Sequence, residues 1–215
     1  MAKVFTAAMR PRECVVQTAL EFRQWWSDQA ADEPFFGRLN AHYARLETGP
    51  SGFEHVGSFP FGDVIAIMDF PAEGYSTLLT KGISGFHLRT HGDEHDLIRV
   101  ELAWTLKRDF VSEASAHLVA AVADHVLQQR CCFNQHEVFA FYFSCLALSN
   151  RLSHFMASNG YWFAEGLERL DADIPMYIFE LFSLTSVDAE VASRDVESFA
   201  EYVDEHGIEI ENLHR

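Results

Sequence analysis

Three histidines and three acids crowd the stretch His87-Leu88-Arg89-Thr90-His91-Gly92-Asp93-Glu94-His95-Asp96. Imidazole and carboxylate are the usual ligands of zinc and related divalent metals. A metal site also needs fixed geometry and supporting partners around its ligands. This stretch reads instead as a polar loop between strands, and it lacks the helical H-E-x-x-H pattern. Glu101, just beyond it, would serve as a general acid or base if it lay buried beside a histidine such as His154. Its other reading is a structural acid, satisfied by backbone N–H groups or exposed on a strand. Ser84 sits in a Gly-x-Ser-Gly fragment without the full nucleophile-elbow pattern or the helix that should follow, so turn formation is the expectation there. Cys131 and Cys132 are adjacent and have no second pair to complete a zinc site. The sequence therefore predicts neither catalysis nor a bound metal or cofactor. The competing reading is a hydrolase or metal-dependent enzyme built on Glu101, His154, His91 and His95.

The elements that would position these residues centre on Phe61 to Leu106. Val64 to Met68 is a short, nearly continuous apolar run, as in a strand covered on both faces. Pro71 and Gly74 punctuate a turn, and Tyr75 to Thr80 resumes as a strand. Leu97 to Leu106 alternates: Ile98, Val100, Leu102, Trp104 and Leu106 fall on one face, Arg99, Glu101 and Ala103 on the other. Before this core, helices are expected over Pro11 to Asp28 and Phe36 to Leu46, then an edge strand over Phe53 to Phe59. After it, Ser112 or Ser115, as alternative caps, should open a helix carrying Leu118, Val119, Val122, Val126 and Leu127 as its apolar stripe. Val138 to Leu148 and Pro175 to Leu184 read as strands. Val187 to His206 reads as one terminal helix, stopped by Gly207.

The 215 residues, 48% hydrophobic, suit one domain with a substantial core, aromatic-rich given 19 phenylalanines. No apolar run is long enough for a membrane helix, the N-terminus makes a poor signal peptide, and the cysteines form no spaced framework. These features predict a cytoplasmic protein. The net charge of −16 argues against nucleic acid and against anionic membrane surfaces as partners. It favours encounter with a basic protein.

Several short segments, in order, resemble the Suppressor of fused domain. "LLTKGIS" with Thr80, Gly82 and Ser84, followed by "VELAWTL" with Glu101 and Leu102, is similar to that family's "LVT-G-S" and "-EL---LP" pattern. Lys107-Arg108-Asp109 stands where the family has proline. "RLSHFMASNGYWF" resembles the "LTH" segment and places His154 at its histidine. "LTSVDAEVASRD" and "FAEYVDEHGIE" resemble the closing strand and acidic helix, with Ser183 in place of a proline and Glu190 at the acidic position. The resemblance spans Phe36 to Ile210, leaving residues 1–35 as an N-terminal helical extension.

Pattern and resemblance together predict one α+β domain over 1–215, its mixed, mostly antiparallel sheet flanked by N- and C-terminal helices. The resemblance implies a protein-interaction module. In animals such proteins hold Hedgehog-pathway transcription factors inactive by clamping a peptide strand between two domains, and a second domain is not expected at this length. Single-domain bacterial relatives resemble immunity proteins that neutralise a cognate toxin. The partner expected here is a basic toxin domain, met by acidic residues of the terminal segment, Glu190, Glu197, Glu201 and Glu205. A peptide-binding module acting by strand addition is a third reading.

Overall fold

The computed structural model describes residues 53–90, 93–141, 143–146, 148–159, 169–170 and 174–214, with the side chains of 93–96, 145–146 and 169–170 excepted. The expected helices over Pro11 to Asp28 and Phe36 to Leu46 lie outside the described residues. In chain order the strands are β1 (Phe53–Phe59), β2 (Gly62–Met68), β3 (Tyr75–Lys81), β4 (Leu88–Thr90), β5 (Asp93–Lys107), β6 (Cys131–Cys132), β7 (Glu137–Ala140), β8 (Leu152–Asn159), β9 (Arg169–Leu170) and β10 (Met176–Thr185). The helices are α1 (Glu113–Gln129), α2 (Ser186–Ala192) and α3 (Val196–His206). The main sheet runs β1-β2-β3-β5-β10-β8-β7. Its neighbours are antiparallel except β5 and β10, which pair in parallel through Arg99↔Met176 to Ala103↔Glu180. A mixed, mostly antiparallel α+β domain is thus the observed architecture.

Alternation along β5 sorts the two faces of the sheet. Val100, Leu102, Trp104 and Leu106 point to one side, where they join Val64, Leu78, Phe155 and Leu181. Helix α1 covers this side with Leu118, Val119, Val122, Val126 and Leu127, the stripe expected from its spacing. Trp104 is clasped edge-on by Phe155 at 5.2 Å and Phe143 at 6.0 Å. The opposite face is buried as well, but it mixes chemistries: Ile65, Ile67, Leu79 and Ile178 lie among Thr77, Arg99, Glu101, Thr105 and Glu180. Towards β8 and β10, α2 and α3 cover this second face through Met156, Leu184, Ala189, Ala192 and Phe199.

Four segments differ from expectation. The stretch 88–96 is not a loop: β4 pairs with an extension of β5 through Leu88↔Ile98, Arg89↔Leu97 and Thr90↔Asp93. The fifteen-residue β5 outruns β3, and β4 satisfies the backbone groups left over. The apolar run from Val138 stays a strand only to Ala140, then turns into a 3-10 segment, Phe143–Leu146. Its hydrophobicity serves burial of Phe143 against Trp104 and Phe155 rather than strand pairing. The mixed segment after Ser149 holds strand β8, between β10 and the edge strand β7; its polar Ser153, His154 and Ser158 mask the strand pattern. The terminal helix is two helices. Asp195 accepts hydrogen bonds from the Ser198 backbone (2.9 Å) and hydroxyl (2.7 Å), so a new N-terminus starts where one continuous helix was expected. Gly207 does end α3, in the left-handed conformation at φ 58°.

Ser112 accepts from the Ser115 backbone while the Ser115 hydroxyl accepts from the Ser112 N–H, a reciprocal cap on α1. Ser112→Ala is expected to cost about 1 kcal/mol of stability. Urea unfolding should show this as a lower midpoint at unchanged slope.

Candidate functional site

Glu101, fully buried, gathers the residues at the end of β3. Its Oε1 accepts from the Gly82 backbone N–H at 2.9 Å, the Ser84 N–H at 3.1 Å and the Ser84 hydroxyl at 2.6 Å. Its Oε2 accepts from the Thr80 hydroxyl at 2.6 Å, and that hydroxyl in turn accepts from the Leu102 N–H at 2.8 Å. The location explains the need. The β3–β5 ladder ends at Leu79↔Ala103, and beyond it the chain turns into the 3-10 segment Ile83–Gly85. The N–H groups of Gly82 and Ser84 would lack sheet partners there, and the Glu101 carboxylate supplies them. Gly82 permits the turn. It sits at φ 144°, and a Cβ would come within 2.5 Å of the Phe61 carbonyl oxygen. Arg99, two residues back on the same face, donates to the Ser84 carbonyl (3.0 Å) and to His87 Nε2 (2.6 Å). Arginine only donates, so His87 presents that nitrogen as an acceptor. Thr80, Gly82, Ser84 and Glu101 therefore form one cluster, and Arg99 and His87 extend it.

This arrangement uses up the chemistry of Glu101. A carboxylate offers about four lone-pair sites, and four donors point at it. His154 is elsewhere. Glu101 stands opposite Ile178 on β10 and His154 opposite Leu184, six residues further along and so roughly 20 Å away. His154 is half-buried on the face covered by α2, with Nδ1 2.8 Å from the Ser153 hydroxyl, and burial holds its pKa below the ordinary value. The side chains of His91 and His95 lie outside the described residues. Among the described residues, no three His, Cys, Asp or Glu side chains converge as metal ligands. Burial pushes the Cys132 thiol well up, away from reactivity.

The acidic candidates lie on α2 and α3. Glu190 is exposed and pairs with Arg194 one turn on. Glu197, Glu201 and Glu205 are exposed at one-turn spacing on α3, opposite the buried Phe199, and none forms a salt bridge with a described residue. Nothing in the sequence reading gave a role to Arg99 or to the buried Thr77–Thr105–Glu180 chain, in which the Thr105 hydroxyl donates to Glu180 at 2.7 Å, and His87, read there as a candidate metal ligand, accepts from Arg99 instead. Arg99, Glu101 and Thr105, on one face of the alternating β5, were the available signal.

A solved chain assigned as a suppressor of fused homologue from Neisseria gonorrhoeae superposes with a TM-score of 0.57 at 15% identity, covering 82% of this chain and 92% of that one. A chain of the Sufu–Fu complex superposes at 0.54 and 13% identity, covering 74% and 78%. The fold is that of the suppressor of fused proteins. No family profile matches the sequence, and no curated protein does. Within this suppressor of fused fold, the short motif at Thr80–Ser84 and Glu101 is a single hydrogen-bonded joint between β3 and β5.

Glu101→Ala should leave the N–H groups of Gly82 and Ser84 unpaired and cost at least about 3 kcal/mol, whereas Ser84→Ala should cost about 1 kcal/mol. Chemical denaturation checks both, and equal, small losses would contradict a shared joint. The folded pKa of His154 lies below the ordinary 6.5, so the unfolded chain binds the proton first. Stability is complete above 6.5 and falls as pH drops from there through the folded pKa. His154→Phe should flatten that part of the stability profile.

Proposed function

We propose that this chain is a non-catalytic, cytosolic protein-binding module that recognises and neutralises a basic toxin domain, in the manner of an immunity protein. The observation that carries this reading is the stripe Glu197, Glu201 and Glu205 on the solvent face of α3, in a chain of net charge −16. Eight residues of helix extend the stripe over about 12 Å. Like charges one turn apart repel by a few tenths of a kcal/mol per pair in the free helix, and a cationic partner laid along them would relieve that repulsion. The charge would also steer a basic partner to the surface and quicken association. The similar fold found in the Sufu–Fu complex supports a protein as the partner class. The saturated Glu101, remote from His154, supports a non-catalytic reading.

Reversing the stripe with Glu197→Lys, Glu201→Lys and Glu205→Lys tests it. The expected outcome is a complex with a basic protein captured at low salt, released by about 0.5 M salt, and weakened at least tenfold by the reversal. Circular dichroism should report an intact fold. A complex indifferent to both salt and charge reversal would move the contact off α3.

A further inference from the structure

We infer that His55, Ser58 and Asp63 form a site for a divalent transition metal on the β1–β2 hairpin. His55 Nε2 lies 3.1 Å from Asp63 Oδ1 and 3.2 Å from the Ser58 hydroxyl oxygen, and that oxygen lies 3.0 Å from Asp63 Oδ1. One imidazole nitrogen, one carboxylate oxygen and one hydroxyl oxygen thus make a nearly equilateral triangle. A cation about 2.1 Å from each corner would see them at angles of roughly 95°, one triangular face of an octahedron. The other positions would open to water, since the His55 and Asp63 side chains are 57% and 53% exposed. An imidazole and a carboxylate suit zinc, nickel, cobalt or manganese better than calcium, which takes six to eight oxygens.

The fold builds this convergence by a specific device. Residues three apart on a regular strand point to opposite faces. A register shift between His55 and Gly57 inserts Val56 as a bulge, so Ser58 pairs with Asp63 while His55 pairs with Ile65. The bulge therefore returns Ser58 to the face that carries His55 and Asp63. The cross-strand ladder then holds the Ser58–Asp63 spacing before any ion arrives. The neighbouring Lys81, across the ladder from Asp63, sets a limit on affinity by its charge. When the ion binds, the carboxylate and imidazole exchange their mutual hydrogen bond for the metal, and β1 is fastened to β2 at its bulge.

The experiment titrates the whole protein with Mn²⁺ and reads paramagnetic broadening of backbone amide signals by nuclear magnetic resonance. Zn²⁺ in parallel calorimetry gives stoichiometry. Broadening should appear first at residues 53–65, with one equivalent of Zn²⁺ bound and affinity reduced at least tenfold in both His55→Ala and Asp63→Asn. Ser58→Ala should weaken binding less. These side chains are exposed, so the variants should keep the amide spectrum elsewhere. Broadening that starts at another histidine, binding unchanged in His55→Ala, or no saturable binding would each overturn the site.

Discussion

Where β3 parts from β5, the sheet loses a row of hydrogen bonds, and one carboxylate replaces them. Placing an ionised carboxylate in a protein interior costs several kcal/mol. Each hydrogen bond to a charged group returns about 1.5–3 kcal/mol, so four of them offset that cost. The donors come from one short run, Thr80 to Ser84, and they reach Glu101 only if the chain turns sharply at Gly82. Turn, strand end and carboxylate therefore specify one another. The rest of the sheet depends on this joint, because it fixes where β5 changes neighbour from β3 to β4.

The same joint shows which features of the fold were legible and which were not. The hydrophobic stripe of α1, the strands β2 and β3 and the alternation of β5 follow from period and turn chemistry, and all three lie where those rules put them. The segment after Val138 does not follow, because Phe143 is apolar for packing against Trp104, and periodicity cannot separate a buried strand from a buried turn. The break at Asp195 had a local signal, an aspartate three residues before Ser198, but the apolar spacing ran across it. The 88–96 stretch looked like a loop because it is polar, and its order comes from a tight hairpin with the start of β5 and from pairing with the distant β6.

The candidate site divides in the same way. Resemblance placed Thr80, Gly82, Ser84 and Glu101 in one motif, but nothing in a linear sequence states that they touch. Their contact needed the register of β3 on β5. His154 belonged to the same set of motif positions and yet sits about six residues away along β10, on the face that α2 covers. Membership of a motif thus reflects two different structural duties here, a joint at one end of the sheet and a half-buried side chain at the other.

That division bears on recognition. The Glu101 carboxylate is committed to four donors within the fold, so its duty there is to hold a shape. Under the function proposed above, choice of partner would fall to exposed groups instead. On α3 the buried side carries Phe199, while the exposed side carries Glu197, Glu201 and Glu205, which form no salt bridge with a described residue. Replacing those glutamates would leave the joint at Glu101 untouched, just as a change at Gly82 would disturb the sheet without altering the charge that a partner meets. A scaffold arranged this way can keep its fold at 15% identity while its exposed residues change.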